Sequence, residues 1–502
     1  MYDTIIIGSG LGGLMTALIL AKEGRKVAII EKNKQFGGNL QSFLRDEVLF
    51  DTGVHYVGSL GEGQTLHNYF SYAGITSALD LECMPKDGYD RICFAYEPTC
   101  YPHAQGYDNF VAQLLPYFPK EKVALERYVA KIQEVCDRFP LYRFRLEGSY
   151  DEALLSLSLM DFLRELTSDR RLQAVLLGNN FLYAGTREHT PLYVHALSVN
   201  SYMESAWRFR RGGSQITQLL LKQLRALGVS LFAENQALAF EYREGKIYSV
   251  ITSQHKKYIA KEFVSDIDIQ QLLSVAGRTH FKPSYYKRIE QLEPVSGVFS
   301  LHLVLKPHTF PYLPYNVYWF RDTQQVWEAP YSDVFPASYM LSMVPPKDGG
   351  SYSDNMTLLT YMSYEQVRAW EHTFNTIAEP DGRGAAYEAF KREKTAQLLS
   401  VVYQRYPQLE GAIAHAYTST PLTYRDYIGS PTGAIYGYEK NIHKIAHTRI
   451  MPQTHIPNLY LTGQSVNMHG LVGVTIGAVL TAMAMLGGGV KGLVGFRGCD
   501  GF

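Results

Sequence analysis

The sequence predicts an α/β protein built around a doubly wound sheet, with a second domain of mixed α and β structure. Three observations predict this fold: an opening strand, glycine turn, helix and strand; a mainly helical stretch after about residue 65; and a β-rich stretch in the second half. The chain has 502 residues, more than one hydrophobic core usually organises, so we expect two closely packed domains.

The amino-terminal unit carries a glycine pattern that is typical of dinucleotide binding. Its predicted elements are a strand, a glycine turn, a helix and a second strand, over 3–7, 8–13, 14–23 and 26–31. Gly8, Gly10 and Gly13 have the spacing that lets backbone amides approach a pyrophosphate at a helix N-terminus. Glu31 closes the second strand, where its carboxylate is expected to accept hydrogen bonds from ribose hydroxyls.

Three other glycine-containing segments are expected to contact the same cofactor. A glycine pair at Gly37 and Gly38 follows the second strand, Gly212 and Gly213 enter a later helix, and Gly463 ends a strand before the last helix. The predicted cofactor-binding residues are Gly8, Gly10, Leu11, Gly12, Gly13, Glu31, Lys32, Gly37, Gly38, Asn39, Ser42, Gly212, Gly213, Ala237, Gly463, Gln464, Gly473 and Val474.

The second domain is predicted from a helical stretch and a β-rich stretch. Amphipathic runs over 119–138 and 158–177 predict helices of a cap or lid, and another helix is expected over 385–406. An antiparallel sheet is predicted from strand patterns over 298–305, 316–320, 339–344 and 357–362.

The order of these stretches predicts a discontinuous first domain. Its strands and glycine turns come from the beginning, the middle and the end of the chain. We therefore predict a cofactor domain over 1–65, 205–285 and 430–490, a substrate or cap domain over 66–204 and 286–429, and a C-terminal tail over 491–502.

An uncharged stretch over 470–490 is long enough to span a bilayer. Six glycines interrupt it, and it follows a segment that belongs in a cofactor cleft. We therefore predict a buried helix of about 14 residues after Gly473 instead of a membrane span.

Composition excludes some classes of partner. The 48 basic and 48 acidic side chains give no net charge, so no nucleic-acid partner is expected. The 37 tyrosines suit an apolar cavity or a lipid interface. Five cysteines without a Cys-x-x-Cys pair indicate neither a disulfide framework nor a zinc site. A strand so near the first residue leaves no room for a signal segment, so a reducing, cytoplasmic location is expected.

Residues 3–486 resemble retinol saturases, and more broadly the carotenoid isomerases and phytoene desaturases, of the glutathione-reductase-like superfamily. The resemblance rests on Phe50-Asp-Thr-Gly-Val-His-Tyr56, His195-Ala-Leu197, Arg211-Gly-Gly-Ser214, Tyr406-Pro-Gln-Leu-Glu410, Thr420-Pro-Leu-Thr423, Gly433-Ala434, Tyr436-Gly437 and Asn458-Leu-Tyr-Leu-Thr-Gly-Gln464. Residues 465–469 depart from the saturase pattern, as does the missing membrane-targeting N-terminus of the animal proteins.

The resemblance implies a Rossmann-like FAD-binding domain and an oxidoreductase that acts on a CH–CH bond of a polyene, a retinoid or another unsaturated lipid. In saturases the reaction reduces the 13,14 double bond of all-trans-retinol. No second glycine unit follows a strand, so no NAD(P) domain is expected, but transient docking of NAD(P)H as electron donor stays open. Contact with the inner face of the membrane also stays open.

Other activities on the same fold remain alternatives. A carotenoid desaturase or isomerase differs in net redox chemistry, a flavin amine oxidase fits the final motif least, and lipid-binding chaperones of small GTPases lack the flavin-binding residues. Alkene reduction by a flavin requires a hydride to one carbon and a proton to its neighbour. The candidate proton donors are His55, Tyr56, His195 and His469.

Overall fold

The computed structural model describes residues 1–145, 152–347, 349–377, 382–490 and 493. Two seven-stranded sheets organise this part of the chain. The first sheet has a parallel centre and an antiparallel edge, and its strands are Tyr2–Ile7, Val27–Ile30, Ser230–Phe232, Ala237–Arg243, Lys246–Thr252, Lys257–Ser265 and Leu459–Leu461. The predicted C-terminal tail lies outside the described residues except for Leu493.

The centre of the first sheet is buried on both faces. Val27–Ile30 and most of Tyr2–Ile7 are fully covered, which is typical of parallel strands with helices on either side. Helix Leu11–Lys22 packs against helices Ser214–Ala226 and Gly470–Leu486. This arrangement fixes the N-terminus of the first helix at the carboxyl end of the first strand.

The apolar stretch near the end of the chain forms helix Gly470–Leu486, which stops at Gly487 with a positive φ of 71°. Such a left-handed terminal residue favours glycine. The prediction of a buried helix is confirmed, although it begins three residues before Gly473. Among the described residues, no helix is long and apolar enough to cross a membrane.

The second sheet runs in the order Ile413–Ser419, Gly297–Leu305, Asn355–Met362, Ser338–Ser342, Asn316–Phe320, Asp90–Phe94 and Cys100–His103. The four predicted strands are present. The sheet is not wholly antiparallel, however, because Asn316–Phe320 pairs in parallel with Asp90–Phe94. Strand Asp90–Phe94 lies in the stretch interpreted as mainly helical, so the local sequence pattern did not predict its pairing.

Further elements surround the two sheets. The remaining strands are Ser42–Arg45, Val48–Asp51, Val57–Gly58, Leu81–Cys83 and Ala206–Phe209. The remaining helices are Thr65–Ala73, Tyr107–Leu114, Lys122–Asp137, Leu159–Leu166, Arg170–Leu176, Leu192–Glu204, Ile269–Ala276, Pro283–Glu290, Gln325–Glu328, Ala385–Arg405, Leu409–Ala412, Pro421–Ile428 and Ile445–Thr448.

The predicted helical run over 158–177 is two helices. Asp169 separates them because its carboxylate accepts hydrogen bonds from the backbone N–H groups of Arg171 and Leu172, at 2.8 and 3.0 Å. Such capping starts a new helix at this point.

Cys93 and Cys100 form a disulfide. They are register partners across the hairpin of Asp90–Phe94 and Cys100–His103. The interpretation that no disulfide is present is therefore wrong for this pair, because cysteine count and motif spacing do not reveal partners that a hairpin brings together. Cys499 lies outside the described residues.

Candidate functional site

One cavity of about 880 Å³ runs from the amino-terminal glycine loop into an aromatic chamber. Its first end is lined by the loop, the glycine pair and the turn before the last helix; its second end is lined by side chains from the second sheet and the helical layer. The cavity falls within the size range of ligand sites, and its position at the carboxyl ends of parallel strands is the expected one for this fold.

The glycine loop packs so closely that a side chain has no room. A Cβ on Gly12 would lie 2.5 Å from the backbone nitrogen of Gly463 and 2.6 Å from a carboxylate oxygen of Asp266. Gly10 caps the helix Leu11–Lys22, whose first turn holds no acidic residue. Because the first N–H groups of a helix lack intrahelical partners, this end of the cavity fits an anionic phosphate.

Glu31 lies where the sequence predicts it, at the wall of the cavity. Its carboxylate accepts hydrogen bonds from the backbone and hydroxyl of Ser9, at 3.1 and 2.6 Å, and from the backbone of Asn33, at 2.8 Å. The Ser9 hydroxyl also accepts a hydrogen bond from Gly37 N–H, at 3.1 Å. These bonds hold the acid, the first turn and the glycine pair in one fixed arrangement.

Most of the predicted cofactor-binding residues line the cavity. Gly13, Ser42, Gly212 and Gly213 are not among the lining residues. Gly213 N–H donates to Asp51 at 2.8 Å, and the Ser42 hydroxyl donates to the same carboxylate at 2.7 Å. This turn therefore supports the wall of the site through Asp51. The role of each predicted residue in cofactor binding stays a prediction.

Sequence reasoning missed Asp266, which follows the central strand Lys257–Ser265. Its side chain packs beneath the glycine loop, where the backbone N–H groups of Gly10 and Gly13 approach its carboxyl. Burial, with a smaller contribution from the charge of Glu31, raises the pKa of Asp266 to about 7. The rule that ligands meet residues at the carboxyl ends of parallel strands could have found it.

Sequence reasoning also missed Lys440, which lines the cavity near the turn before the last helix. Its Nζ donates to the backbone oxygen of Ser465 at 3.5 Å. Burial lowers the pKa of Lys440 to about 8. No local motif marks this lysine in the sequence.

The second end of the cavity is an aromatic chamber, lined by Tyr56, Phe181, Tyr202, Tyr318, Met340, Leu359 and Tyr436. The rings of Tyr56 and Tyr202 lie 4.4 Å apart, and those of Phe181 and Tyr318 lie 6.1 Å apart. Aromatic rings with a few hydroxyl groups form an apolar wall with isolated polar points. Such a chamber fits an apolar ligand.

His55 and Tyr56 both line the cavity. Burial and the nearby Arg208 lower the pKa of His55 to about 4, and its Nε2 atom has no hydrogen-bond partner among the described residues. The hydroxyl of Tyr56 donates to Asp90 at 2.9 Å and lies 2.7 Å from that of Tyr318. Tyr56 is thus linked to a buried acid, whereas His55 is neutral at ordinary pH.

The other two histidines differ in position. His195 is fully buried away from the cavity lining, and its ring nitrogens lie 2.7 and 2.8 Å from the hydroxyls of Tyr128 and Tyr183. His469 lines the cavity and its Nε2 lies 2.9 Å from the backbone oxygen of Leu182. Burial lowers the pKa of both histidines, to about 3 and about 4. A neutral histidine cannot supply a proton as imidazolium.

Comparisons with known proteins agree with this geometry. A family model described as an NAD(P)-binding Rossmann-like domain matches residues 6–73. The human protein named all-trans-retinol 13,14-reductase is 27% identical, over 96% of this chain and 85% of its own length. A prolycopene isomerase of an Oncidium hybrid cultivar is 22% identical, over 96% and 83%. The predicted resemblance to retinol saturases, with carotenoid isomerases as more distant relatives, is confirmed.

Among solved structures, a variant of putrescine oxidase superposes with a TM-score of 0.65 at 14% identity, over 97% of this chain and 99% of that one. At this identity the likeness concerns the fold alone. The predicted fold class, a Rossmann-like domain joined to a mixed α/β second part, is confirmed. The family match and the loop geometry together indicate a dinucleotide cofactor.

Proposed function

We propose that this protein is an FAD-dependent oxidoreductase that reduces one double bond of a conjugated lipid, as its retinol-reductase relatives do by name. One observation carries the proposal: a single cavity connects a phosphate-binding glycine loop with an apolar, tyrosine-lined chamber. FAD matches this shape because its nucleotide half needs the loop and its ring needs a neighbouring substrate chamber.

Different residues of the chain would hold different parts of FAD. The backbone of Gly10, Leu11 and Gly12 would receive the pyrophosphate, and Glu31 would accept hydrogen bonds from the adenosine ribose. Gly463 and the start of helix Gly470–Leu486 would meet the part of the cofactor nearest the chamber, because both line the cavity there. Bound FAD, once reduced, would supply hydride to the substrate.

The chamber would bind and orient the lipid and exclude water from the reacting carbons. Phe181, Met340 and Leu359 present apolar surface, and burial of a polyene against them is favourable by roughly 25 cal/mol per Å² of apolar area. Charge plays little part because the side chains of the chamber are mostly uncharged. The substrate class is therefore a hydrophobic polyene, a retinoid or another unsaturated lipid.

An anaerobic reoxidation experiment tests the proposal. The purified protein is reduced in the absence of oxygen and then mixed separately with all-trans-retinol, a carotenoid, a quinone and an unsaturated fatty acid. We expect a polyene to reoxidise the flavin and to gain two hydrogen atoms, detected by mass spectrometry. A colourless protein after reconstitution with FAD would overturn the proposal in favour of a non-enzymatic lipid carrier.

The same experiment separates a reductase from an isomerase or desaturase. The similarity to a prolycopene isomerase is the reason to test this alternative. An isomerase would return a product of unchanged mass while the flavin remained reduced, and a desaturase would remove hydrogen from a saturated substrate with oxidised flavin. NAD(P)H, added to the oxidised protein, tests the predicted transient electron donor through bleaching of the flavin.

We infer that the lipid enters through the helical layer, where the protein contacts a membrane surface. Phe139, Leu141, Leu155 and Tyr193 from this layer line the cavity. Flotation with phospholipid vesicles tests this contact, and we expect the protein to rise with the vesicles. Recovery of all protein in the vesicle-free fraction would contradict it. A cytoplasmic location at the inner face of the membrane remains our prediction.

A further inference from the structure

A buried chain of hydroxyl and carboxyl groups reaches the wall of the aromatic chamber. The Tyr318 hydroxyl lies 2.7 Å from that of Tyr56, and the Tyr56 hydroxyl donates to Oδ2 of Asp90 at 2.9 Å. Both tyrosines line the cavity, whereas Asp90 lies behind them and is fully buried. The three groups form a continuous path from the chamber into the protein.

The fold holds this path rigidly. Asn316 and Asp90 are register partners in the parallel pair of strands, which places Tyr318 two residues further along the same strand. Asn316 and Asn179 donate their amide N–H groups to the Asp90 carboxyl, at 2.9 and 2.6 Å. Three donors therefore surround Asp90, so both of its oxygens have fixed positions.

The charges near Asp90 leave it without a direct ionic partner. Arg208, which is also buried, donates to the amide oxygen of Asn316 at 2.8 Å, so an amide separates guanidinium from carboxyl. Of the other titratable groups nearby, Tyr89 and Tyr202 face the carboxyl as neutral phenols, and His103 bonds to Asn179. Burial, only partly offset by the three hydrogen bonds and Arg208, raises the pKa of Asp90 to about 7.

We propose that Tyr318 donates the proton in alkene reduction, and that Tyr56 and Asp90 return a proton to it. This inference rests on the proposed function, and it assigns the proton donor that the candidate list left open. Tyr318 is the catalytic residue because it lines the chamber and its hydroxyl has the Tyr56 hydroxyl as hydrogen-bond partner. Tyr56 and Asp90 act through it.

The step balances in atoms and electrons. Bound, two-electron-reduced flavin would supply a hydride to one carbon of the double bond and would thereby be oxidised. The neighbouring carbon takes the proton as the O–H bond of Tyr318 breaks. In the same concerted step Tyr318 takes a proton from Tyr56, and Tyr56 takes one from the protonated Asp90 carboxyl, so the hydrogen bond between Tyr56 and Asp90 reverses its direction. Asp90 is left as a carboxylate, and a proton that enters from the chamber after product release returns to it along the same path.

Substitutions along the path test this inference. In anaerobic stopped-flow experiments with the reduced holoenzyme and the polyene that it reduces, we expect Tyr318→Phe to slow flavin reoxidation about 100-fold, the lower range for general acid catalysis. Tyr339→Phe is the matched control. Tyr339 lies on the neighbouring strand, opposite Trp319, and its buried hydroxyl has no partner among the described residues. Reoxidation in this control should keep the wild-type rate.

The pH profile tests the residues behind Tyr318. We expect the wild-type reoxidation rate to fall as the pH rises through about 7, because only protonated Asp90 can return a proton. Asp90→Asn and Tyr56→Phe should both be slower and lose this dependence, whereas a purely structural role would lower stability without flattening the profile. Asp90→Asn also places an amide N–H group against the donors of Asn179 and Asn316, so this variant could disturb the local structure. Tyr56→Phe interrupts the same path without that clash, and for this reason both variants are used.

Infrared spectroscopy supplies a readout that needs neither cofactor nor substrate. In the cofactor-free protein, Asp90 and Asp266 should both contribute to a protonated carboxyl band that disappears as the pH rises through about 7, and Asp90→Asn should remove the Asp90 component and leave that of Asp266. An unchanged band in that variant would overturn the assignment of the proton to Asp90.

The outcomes distinguish the two proposals. If the wild-type protein reduces no polyene, the proposed function fails. If it reduces a polyene and Tyr318→Phe matches the wild-type rate, the function stands and the inference about the proton donor is overturned.

Discussion

The two ends of the cavity are built in different ways. The nucleotide end is made largely of neighbours in sequence, since the glycine loop, Glu31 and the glycine pair all fall within 8–38. The chamber is made of residues that the chain brings together from far apart, and the hydrogen-bonded Tyr56 and Tyr318 are separated by 262 positions. A local motif can therefore specify the cofactor, whereas the substrate depends on tertiary packing.

This difference separates cofactor binding from substrate choice. The glycine loop tolerates no added atom, because backbone and the Asp266 carboxylate surround it. The chamber presents side chains such as Leu359, which is only partly buried and faces the cavity. Changes in the chamber should alter which lipid reacts and leave the flavin in place. Each of the following changes is directed at one end of the cavity.

The largest effect is expected from Gly12→Ala. Its Cβ would lie 2.5 Å from the Gly463 nitrogen, so the loop and the final turn must move apart. Such overpacking costs about 1 to 3 kcal/mol, and a comparable loss of cofactor affinity corresponds to about 5- to 140-fold at 1.4 kcal/mol per factor of ten. Titration of the cofactor-free protein with FAD, followed by flavin fluorescence, measures this loss.

Gly411→Ala is the control for the glycine change. Among the described residues, no heavy atom outside its chain neighbours and the backbone of its own helix lies within 4 Å of the Cβ it would gain, and the residue does not line the cavity. Its FAD affinity should equal that of the wild type. Equal affinity in Gly12→Ala as well would mean that the loop does not bind the cofactor.

The contrast between the two ends also explains which features could be predicted from the sequence. The opening unit, the last helix and four strands of the second sheet follow from local patterns. Strand Asp90–Phe94 and its parallel pairing with Asn316–Phe320 do not, because no local signal encodes which distant strands pair. Tyr318 and Asp90 went unpredicted for that reason, whereas Tyr56 was found through the segment that resembles the saturases.

A second, smaller effect is expected from Leu359→Phe at the chamber end. The larger ring would occupy cavity space along the second sheet, so a long polyene should bind less well. We expect the KM for the polyene to rise about 10-fold, within the range for a change of a few carbon atoms in an apolar pocket. FAD affinity should be unchanged. If FAD affinity fell and the KM did not, the assignment of the two ends would be wrong.

A third effect concerns the pH dependence of cofactor binding. Burial first, and Glu31 second, raises the pKa of Asp266 to about 7, so the residue is neutral below this pH and negative above it. The anionic pyrophosphate should then bind best at low pH. We expect FAD affinity to fall about fivefold between pH 6 and pH 8, an electrostatic cost of about 1 kcal/mol.

Asp266→Asn should remove this dependence while keeping the shape of the side chain. FAD affinity in the variant should be flat across the same pH range and close to the low-pH affinity of the wild type. Because linkage is reciprocal, the wild-type protein should also take up protons when FAD binds near pH 7, measured by calorimetry in buffers of different ionisation enthalpy. Equal pH dependence in both proteins would exclude Asp266 as the titrating group.

The last prediction concerns the stability of the cofactor-free protein. The pKa values of Asp90 and Asp266 are both raised by burial, from 3.8 to about 7, so the folded state holds protons that the unfolded state releases. The free energy of unfolding should therefore decrease as the pH rises from about 4 to about 7, by at most about 1.4 kcal/mol per pH unit and group. Urea unfolding at several pH values measures this slope. Asp90→Asn and Asp266→Asn should each make this slope shallower. The acid behind the chamber and the acid beneath the glycine loop would then affect stability through the same cause, burial of a carboxyl group.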